Sequence, residues 1–185
     1  MMTTIYTHAV VGLGLARVFT ARRMPWPYWV LTAFLPIIPD FDSFSTATYG
    51  TALGHRGITH SLPFALWVGC FVASVTFRRL RVSFWWLAGL FFIIIASHGL
   101  LDALTRGGMP IPFIWPLPER YGNWGPIPVA DLGFELPDPG RSRAQRSELI
   151  WVWLPTALLV VMVTTYRRLR RRRSPTDSTP LEKPR

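Results

Sequence analysis

The sequence predicts an all-α, polytopic membrane protein with about five transmembrane or membrane-embedded helices and a long Pro/Gly-rich outer loop. Three observations carry this. Half of the 185 residues are hydrophobic and nine are Trp. The apolar residues gather into runs too long for an ordinary soluble core. Short arginine blocks directly follow those runs, the pattern of segments held on the cytoplasmic side of a membrane. A net charge of +10 suggests nucleic acid at first sight, but arginines confined to the ends of apolar runs do not build a binding face, so no nucleic-acid partner is expected. The single cysteine, Cys70, lies inside an apolar run, which excludes an internal disulfide and a multi-cysteine zinc site.

The first run, Thr4 to Thr20, lacks a basic residue before it and carries His8, so it reads as a retained helix and not a cleaved signal peptide. Arg17, Arg22 and Arg23 mark its far end. The second, Trp26 to Ile38, is short and broken by Pro36 and Pro39, which predicts a helix that stops in the outer part of the bilayer and delivers Asp40 and Asp42 there. Ser43 to Gly54 is small and polar, as in a loop. The third run goes from His60 to Phe77 and meets Arg78, Arg79 and Arg81. The fourth, Phe84 to Leu104, is the most hydrophobic; near its end, His98 and Asp102 share a helix face at i, i+4. Arg106 to Glu148 is rich in Pro and Gly, with Trp115, Tyr121 and Trp124 suited to a membrane interface. The fifth run, Leu149 to Tyr166, leads into Arg167, Arg168 and Arg170 to Arg173.

With the compact arginine blocks inside, the N-terminus is outside and five spans leave the C-terminus in the cytoplasm. The expected organisation is a helical membrane domain over 1–173 in the cell (inner) membrane and a disordered cytoplasmic tail over 174–185. Counting 1.5 Å per residue from the nearest basic block, His8, Asp40, His60 and His98 all fall roughly 21 to 27 Å from the inner face. Four segments thus bring polar groups to one depth, near the outer edge of an apolar core about 30 Å thick.

His8, Asp40, Asp42, His55, His60, His98 and Asp102 offer seven nitrogen and oxygen ligands and no thiolate, a set suited to a divalent ion, Zn or Mn. Ionisable groups persist in such apolar surroundings for a function. Seven ligands allow two metals, or one metal with supporting groups and a general base. Arg56 either binds a phosphate or carboxylate or forms an ion pair with Asp40 or Asp42. Thr59 and Ser61 either donate to the site or cap the helix that begins near His60; capping is the favoured reading.

Thr7-His8, Leu35-Pro36 through Asp40-Phe41-Asp42, His55-Arg56-Gly57-Ile58-Thr59-His60-Ser61 and His98-Gly99-Leu100-Leu101-Asp102-Ala103-Leu104-Thr105 together form a recognisable pattern. In these motifs the chain resembles the YdjM-type family of membrane-bound metal-dependent hydrolases, some of them regulated by LexA. Trp115-Pro116-Leu117-Pro118-Glu119-Arg120-Tyr121 is similar to a segment that follows the last histidine motif there. The likeness covers roughly the first 125 residues, and the long Pro-rich loop after Tyr121 and the basic tail depart from it. The resemblance implies a hydrolase with bound metal, with His55, His60, His98 and Asp102 as leading ligands beside Asp40 and Asp42. In that reading Asp40 or Asp42 is the catalytic base and Arg56 contacts an anionic group of the substrate. The depth of the site points to membrane lipids as partners and to a lipid ester or phosphoester as substrate. The competing expectation is a non-catalytic membrane protein whose cluster holds a metal or lipid head group structurally.

Reporter fusions test the orientation. Reporters at Ser45 and Asn123 are expected to read the outer side and one at the C-terminus the cytoplasm; the opposite pattern would invert the placement of the site.

Overall fold

The computed structural model of the protein describes residues 5–44, 47, 51–105, 109–122, 124 and 146–173. Ser45, Asn123, residues 125–145 of the expected outer loop and the tail 174–185 lie outside these. The described residues are helical and contain no strand, only one isolated bridge between Ile111 and Tyr121. Five α-helices succeed one another: α1 (Ile5–Phe19), α2 (Trp26–Phe34), α3 (Leu62–Leu80), α4 (Phe84–Leu104) and α5 (Leu154–Arg173). Two 3₁₀ segments, Leu35–Phe44 and Ile58–His60, carry the acidic and histidine motifs, and a π-helical turn, Leu149–Trp153, precedes α5.

Phe84–Leu104 and Arg146–Arg171 are the two described helices long and apolar enough to cross a membrane. They differ in burial: 61% of the apolar window in α4 is inside the protein, against 6% for Arg146–Arg171. α4 is therefore the central post, contacting α1, α3 and the 3₁₀ segments, whereas α5 leans on α1 at the periphery. Arg146, Ser147 and Glu148, expected at the end of the loop, instead begin this last helix. α2 is only nine residues long and passes directly into 3₁₀ structure at Leu35. Pro36 and Pro39 remove two N–H donors there, so a regular α-helical ladder cannot continue.

α3 and α4 form a close hairpin. Small residues line the contact, with Ala65, Gly69 and Ala73 buried on α3 and Ala88 on α4. A Cβ on Gly69 would stand 2.8 Å from the Phe92 backbone nitrogen, so the two backbones approach as only glycine permits. Ser61 caps α3 by accepting from the Phe64 N–H, as the sequence suggested, and Pro63 sits in the first turn. Arg81, in left-handed conformation (φ 53°), ends α3 and turns the chain towards α4.

The arginine blocks also satisfy helix ends. The Arg22 guanidinium donates to the Leu80 carbonyl at 2.5 Å, and Arg167 donates to the carbonyls of Arg17, Val18 and Thr20 at the end of α1.

Replacing Gly69 with Leu is expected to force α3 and α4 apart and cost about 1–3 kcal/mol. Thermal unfolding in detergent measures this, and an unchanged midpoint would refute the close contact.

Candidate metal centre

The site forms where the 3₁₀ segment after α2, the loop before α3 and the last turns of α4 meet beside the start of α1. His98 and Asp102 share one face of α4 and are fully buried, with Nε2 3.8 Å from Oδ2. His98 Nδ1 lies 2.8 Å from the Pro36 carbonyl, which can only accept, so Nδ1 carries the proton. The local sequence makes that carbonyl available. In a 3₁₀ turn it would meet the N–H of residue 39, and Pro39 has none.

A second proton count fixes His60. The Thr59 hydroxyl donates its only proton to Asp42 Oδ2. Towards His60 Nδ1, 3.1 Å away, the same oxygen can therefore only accept, so His60 also carries its proton on Nδ1 in the neutral form. Both histidines then turn unprotonated Nε2 atoms inward, and these face each other at 3.1 Å in a buried space. Asp40 Oδ1 stands 3.3 Å from His98 Nε2 and 3.7 Å from His60 Nε2, and Asp102 Oδ2 lies 3.7 Å from His60 Nε2. Asp40 Oδ1 is itself buried without a well-formed hydrogen bond. With both imidazoles neutral, acceptors here face acceptors; the Arg56 guanidinium answers Asp102 Oδ2, and a proton or a metal ion would answer the remaining lone pairs.

The spacing suits such an ion. Four ligands held 2.0–2.2 Å from a tetrahedral centre lie about 3.3–3.6 Å apart. The five measured separations among His60 Nε2, His98 Nε2, Asp40 Oδ1 and Asp102 Oδ2 run from 3.1 to 3.8 Å. His60, His98 and Asp102 bring buried ligand atoms close enough together to hold a metal ion, as do His8, Asp40 and His98, and Asp40, His55 and His60.

The other expected site residues surround this quartet. Asp42 uses both carboxylate oxygens, one towards His55 Nδ1 at 2.5 Å and the other towards Thr59 and His60. His55 is partly exposed at the rim. His8 lies behind the quartet, stacked on the His98 ring with centroids 3.9 Å apart and its Nε2 3.8 Å from Asp102 Oδ1. Arg56 is buried; it pairs with Asp102 Oδ2 at 3.3 Å, where the sequence suggested Asp40 or Asp42, and donates to the Met109 carbonyl at 2.6 Å. Its backbone is left-handed (φ 63°), an unusual conformation for a residue with a side chain, and this turns the guanidinium inward. Gly57 next to it is pressed against the carbonyls of Thr51, Ala52 and Gly54, where a Cβ would come within 2.4–2.7 Å. Thr59, favoured as a cap, serves the site instead.

The segment 109–124 closes one side. Ile111 is buried and exchanges two backbone bonds with Tyr121, Phe113 stacks on Trp124, and the Phe113 carbonyl accepts from Leu62 at the start of α3. Sequence reasoning overlooked Glu148. Its carboxylate accepts from the buried Thr7 hydroxyl at 2.6 Å, and the Trp153 indole donates to the same hydroxyl at 2.8 Å, tying α1 to the last helix beside His8. The available signal was a carboxylate placed immediately before an apolar run.

Comparison with known proteins bears on this arrangement. The family described as "YdjM inner membrane protein" matches residues 2–170. The chain belongs to this family. It is also 34% identical over 177 residues to "Inner membrane protein YbcI" of Escherichia coli (strain K12), an alignment covering 90% of this chain and 100% of that protein. The match to the YdjM family extends beyond the motifs to include the last helix. No solved structure matches.

Asp42→Asn is expected to loosen both histidines it orients and to weaken metal affinity about 10- to 100-fold. Competition against a chelator of known affinity measures the change; full affinity in the variant would show that Asp42 does not support the site.

Proposed function

We propose that this protein is a metal-dependent hydrolase embedded in the inner membrane by five helical segments, its site towards the outer face, cleaving an ester or phosphoester bond in a lipid head group. The observation that carries the metal is the approach of the His60 and His98 Nε2 atoms to 3.1 Å beside Asp40. Membership of an inner membrane protein family and similarity to an inner membrane protein of Escherichia coli support the membrane. The site depth expected from the sequence favours an amphiphile, whose tails can stay in the bilayer while its head group reaches the histidines.

In this reading His60, His98 and Asp102 would hold the ion, with Asp40 beside it and a fourth position left for water. When bound, a divalent ion at these residues would supply an acidified water and polarisation of the bond to be cut. Asp42 accepts the His55 Nδ1 proton, leaving His55 Nε2 as the proton acceptor towards the attacking water, so the base is the Asp42–His55 pair. Arg56 holds Asp102 in place and balances its charge. His8 packs behind His98 and fixes its ring plane. The second reading, a structural metal site, is favoured by the near-complete burial of His60, His98 and Asp102. Turnover decides between the two.

Purified protein is expected to carry about one divalent ion per chain, lost when His60 and His98 are both changed to Ala. In liposomes, the metal-loaded protein is expected to turn over phospholipid or isoprenoid phosphates faster than soluble phosphoesters. His55→Ala should lower turnover about 10²- to 10⁴-fold while retaining the ion. Equal turnover of soluble compounds, or lipid cleavage that survives His98→Ala, would defeat the proposal; bound metal with no turnover of any substrate would favour the structural reading.

A further inference from the structure

The seam between α1 and α5 carries two features that the metal centre does not use. At its arginine-rich end, Arg17, Ala21, Thr164, Arg167, Arg168 and Arg171 line a pocket of about 110 Å³. No carboxylate lines it, and none of these arginines has an ion-pair partner among the described residues. Arg167 is committed to the α1 carbonyls and so offsets the negative end of that helix. Arg171 gives one N–H to the Ala21 carbonyl, and Arg168 makes no hydrogen bond to a described residue. Four cations therefore meet with only backbone carbonyls to answer them, a local charge that calls for an anion.

One helical turn further along the same seam, an open apolar groove of about 560 Å³ begins at Gly14 and Val160 and runs past Ala157 and Leu154 to Trp153 and Leu149. At about 1.5 Å per residue Arg168 lies about 16 Å from Ala157, so a chain of one leaflet's length, about 15 Å, anchored at the arginines reaches the near end of the groove at Val160 and Ala157. At the edge of the groove α1 and α5 touch, since a Cβ on Gly14 would stand 2.3 Å from the Thr156 methyl group. A basic pocket with an apolar groove opening one helical turn beyond it matches an anionic amphiphile, charged at one end and apolar along its chain.

We propose that the α1–α5 seam binds one anionic phospholipid, its phosphate held by Arg17, Arg168 and Arg171 and one acyl chain lying in the groove. This lipid is distinct from any substrate, since its head group sits at the opposite end of α1 from His8. Its bound chain fills the space beside the peripheral helix and strengthens the attachment of α5 to α1.

Native mass spectrometry of the full-length protein in detergent, titrated with phosphatidylglycerol or phosphatidylcholine, tests the site. About one phosphatidylglycerol per chain is expected to be retained in preference to phosphatidylcholine. Arg168→Gln combined with Arg171→Gln, both exposed positions, should weaken that retention about 10- to 30-fold and leave metal content unchanged. Ala157→Trp, which fills the groove without touching the arginines, should lower retention as well. Equal retention of the two lipids, displacement by inorganic phosphate, or an equal loss on changing Arg78 and Arg79 to Gln at the end of α3 would overturn the proposal.

Discussion

Two imidazoles that turn lone pairs towards each other at 3.1 Å inside an apolar bundle are the constraint on which this structure rests. With both rings neutral such a contact is unfavourable, because neither nitrogen then donates to the other and neither reaches water; a proton or a metal ion between them relieves it. The protein nevertheless enforces it from both sides. The Pro36 carbonyl takes the His98 proton, and the Thr59–Asp42 pair takes the His60 proton. Each of these partners is rigidly supplied: Pro39 withholds the N–H that would compete for the carbonyl, and Ser61 starts α3 immediately after His60.

The rest of the fold serves to hold these groups in register. α4 is buried along most of its length and so fixes the depth of His98 and Asp102. The loop before α3 is drawn tight by Gly57, packed on three carbonyls, and by the left-handed Arg56, whose guanidinium pairs with Asp102 while Arg120 donates to its backbone carbonyl. A buried arginine beside a carboxylate among metal-ligand candidates offsets charge that would otherwise be costly in the apolar interior. The 109–124 segment then covers this loop and brings Trp124 and Tyr121 to its outer side.

The α1–α5 seam has a different character at each end. Near His8 it is joined by a hydrogen-bonded chain from Trp153 through Thr7 to Glu148, and at the far end by Arg167 on the α1 carbonyls. Between them α1 and α5 touch at Gly14 and Thr156, and an apolar groove opens beside that contact. α5 is thus held at its ends and at one glycine contact, as α3 is held on α4 at Gly69.

The all-helical class, the bounds of α4 and the stop of α2 at the prolines were legible because each depends on local chemistry: apolar run length, missing N–H groups and caps. The candidate ligands were legible for a related reason, since histidines and aspartates in apolar surroundings are costly and conspicuous. Local sequence alone could not say which atoms face inward. The tautomers of His60 and His98 depend on a carbonyl 62 residues away from one and on the carboxylate of Asp42 beside the other. Nor could spacing reveal that Arg56 pairs with Asp102, that Thr59 serves the site while Ser61 caps the helix, or that Glu148 anchors Thr7 across 141 residues. Those partnerships form only when separate helices pack, because a hydrogen bond is decided by distance and direction between groups that the chain brings together last. The sequence by itself determined which residues could bind an ion; the tertiary structure decided which of their lone pairs converge, because convergence is set by how separate helices pack.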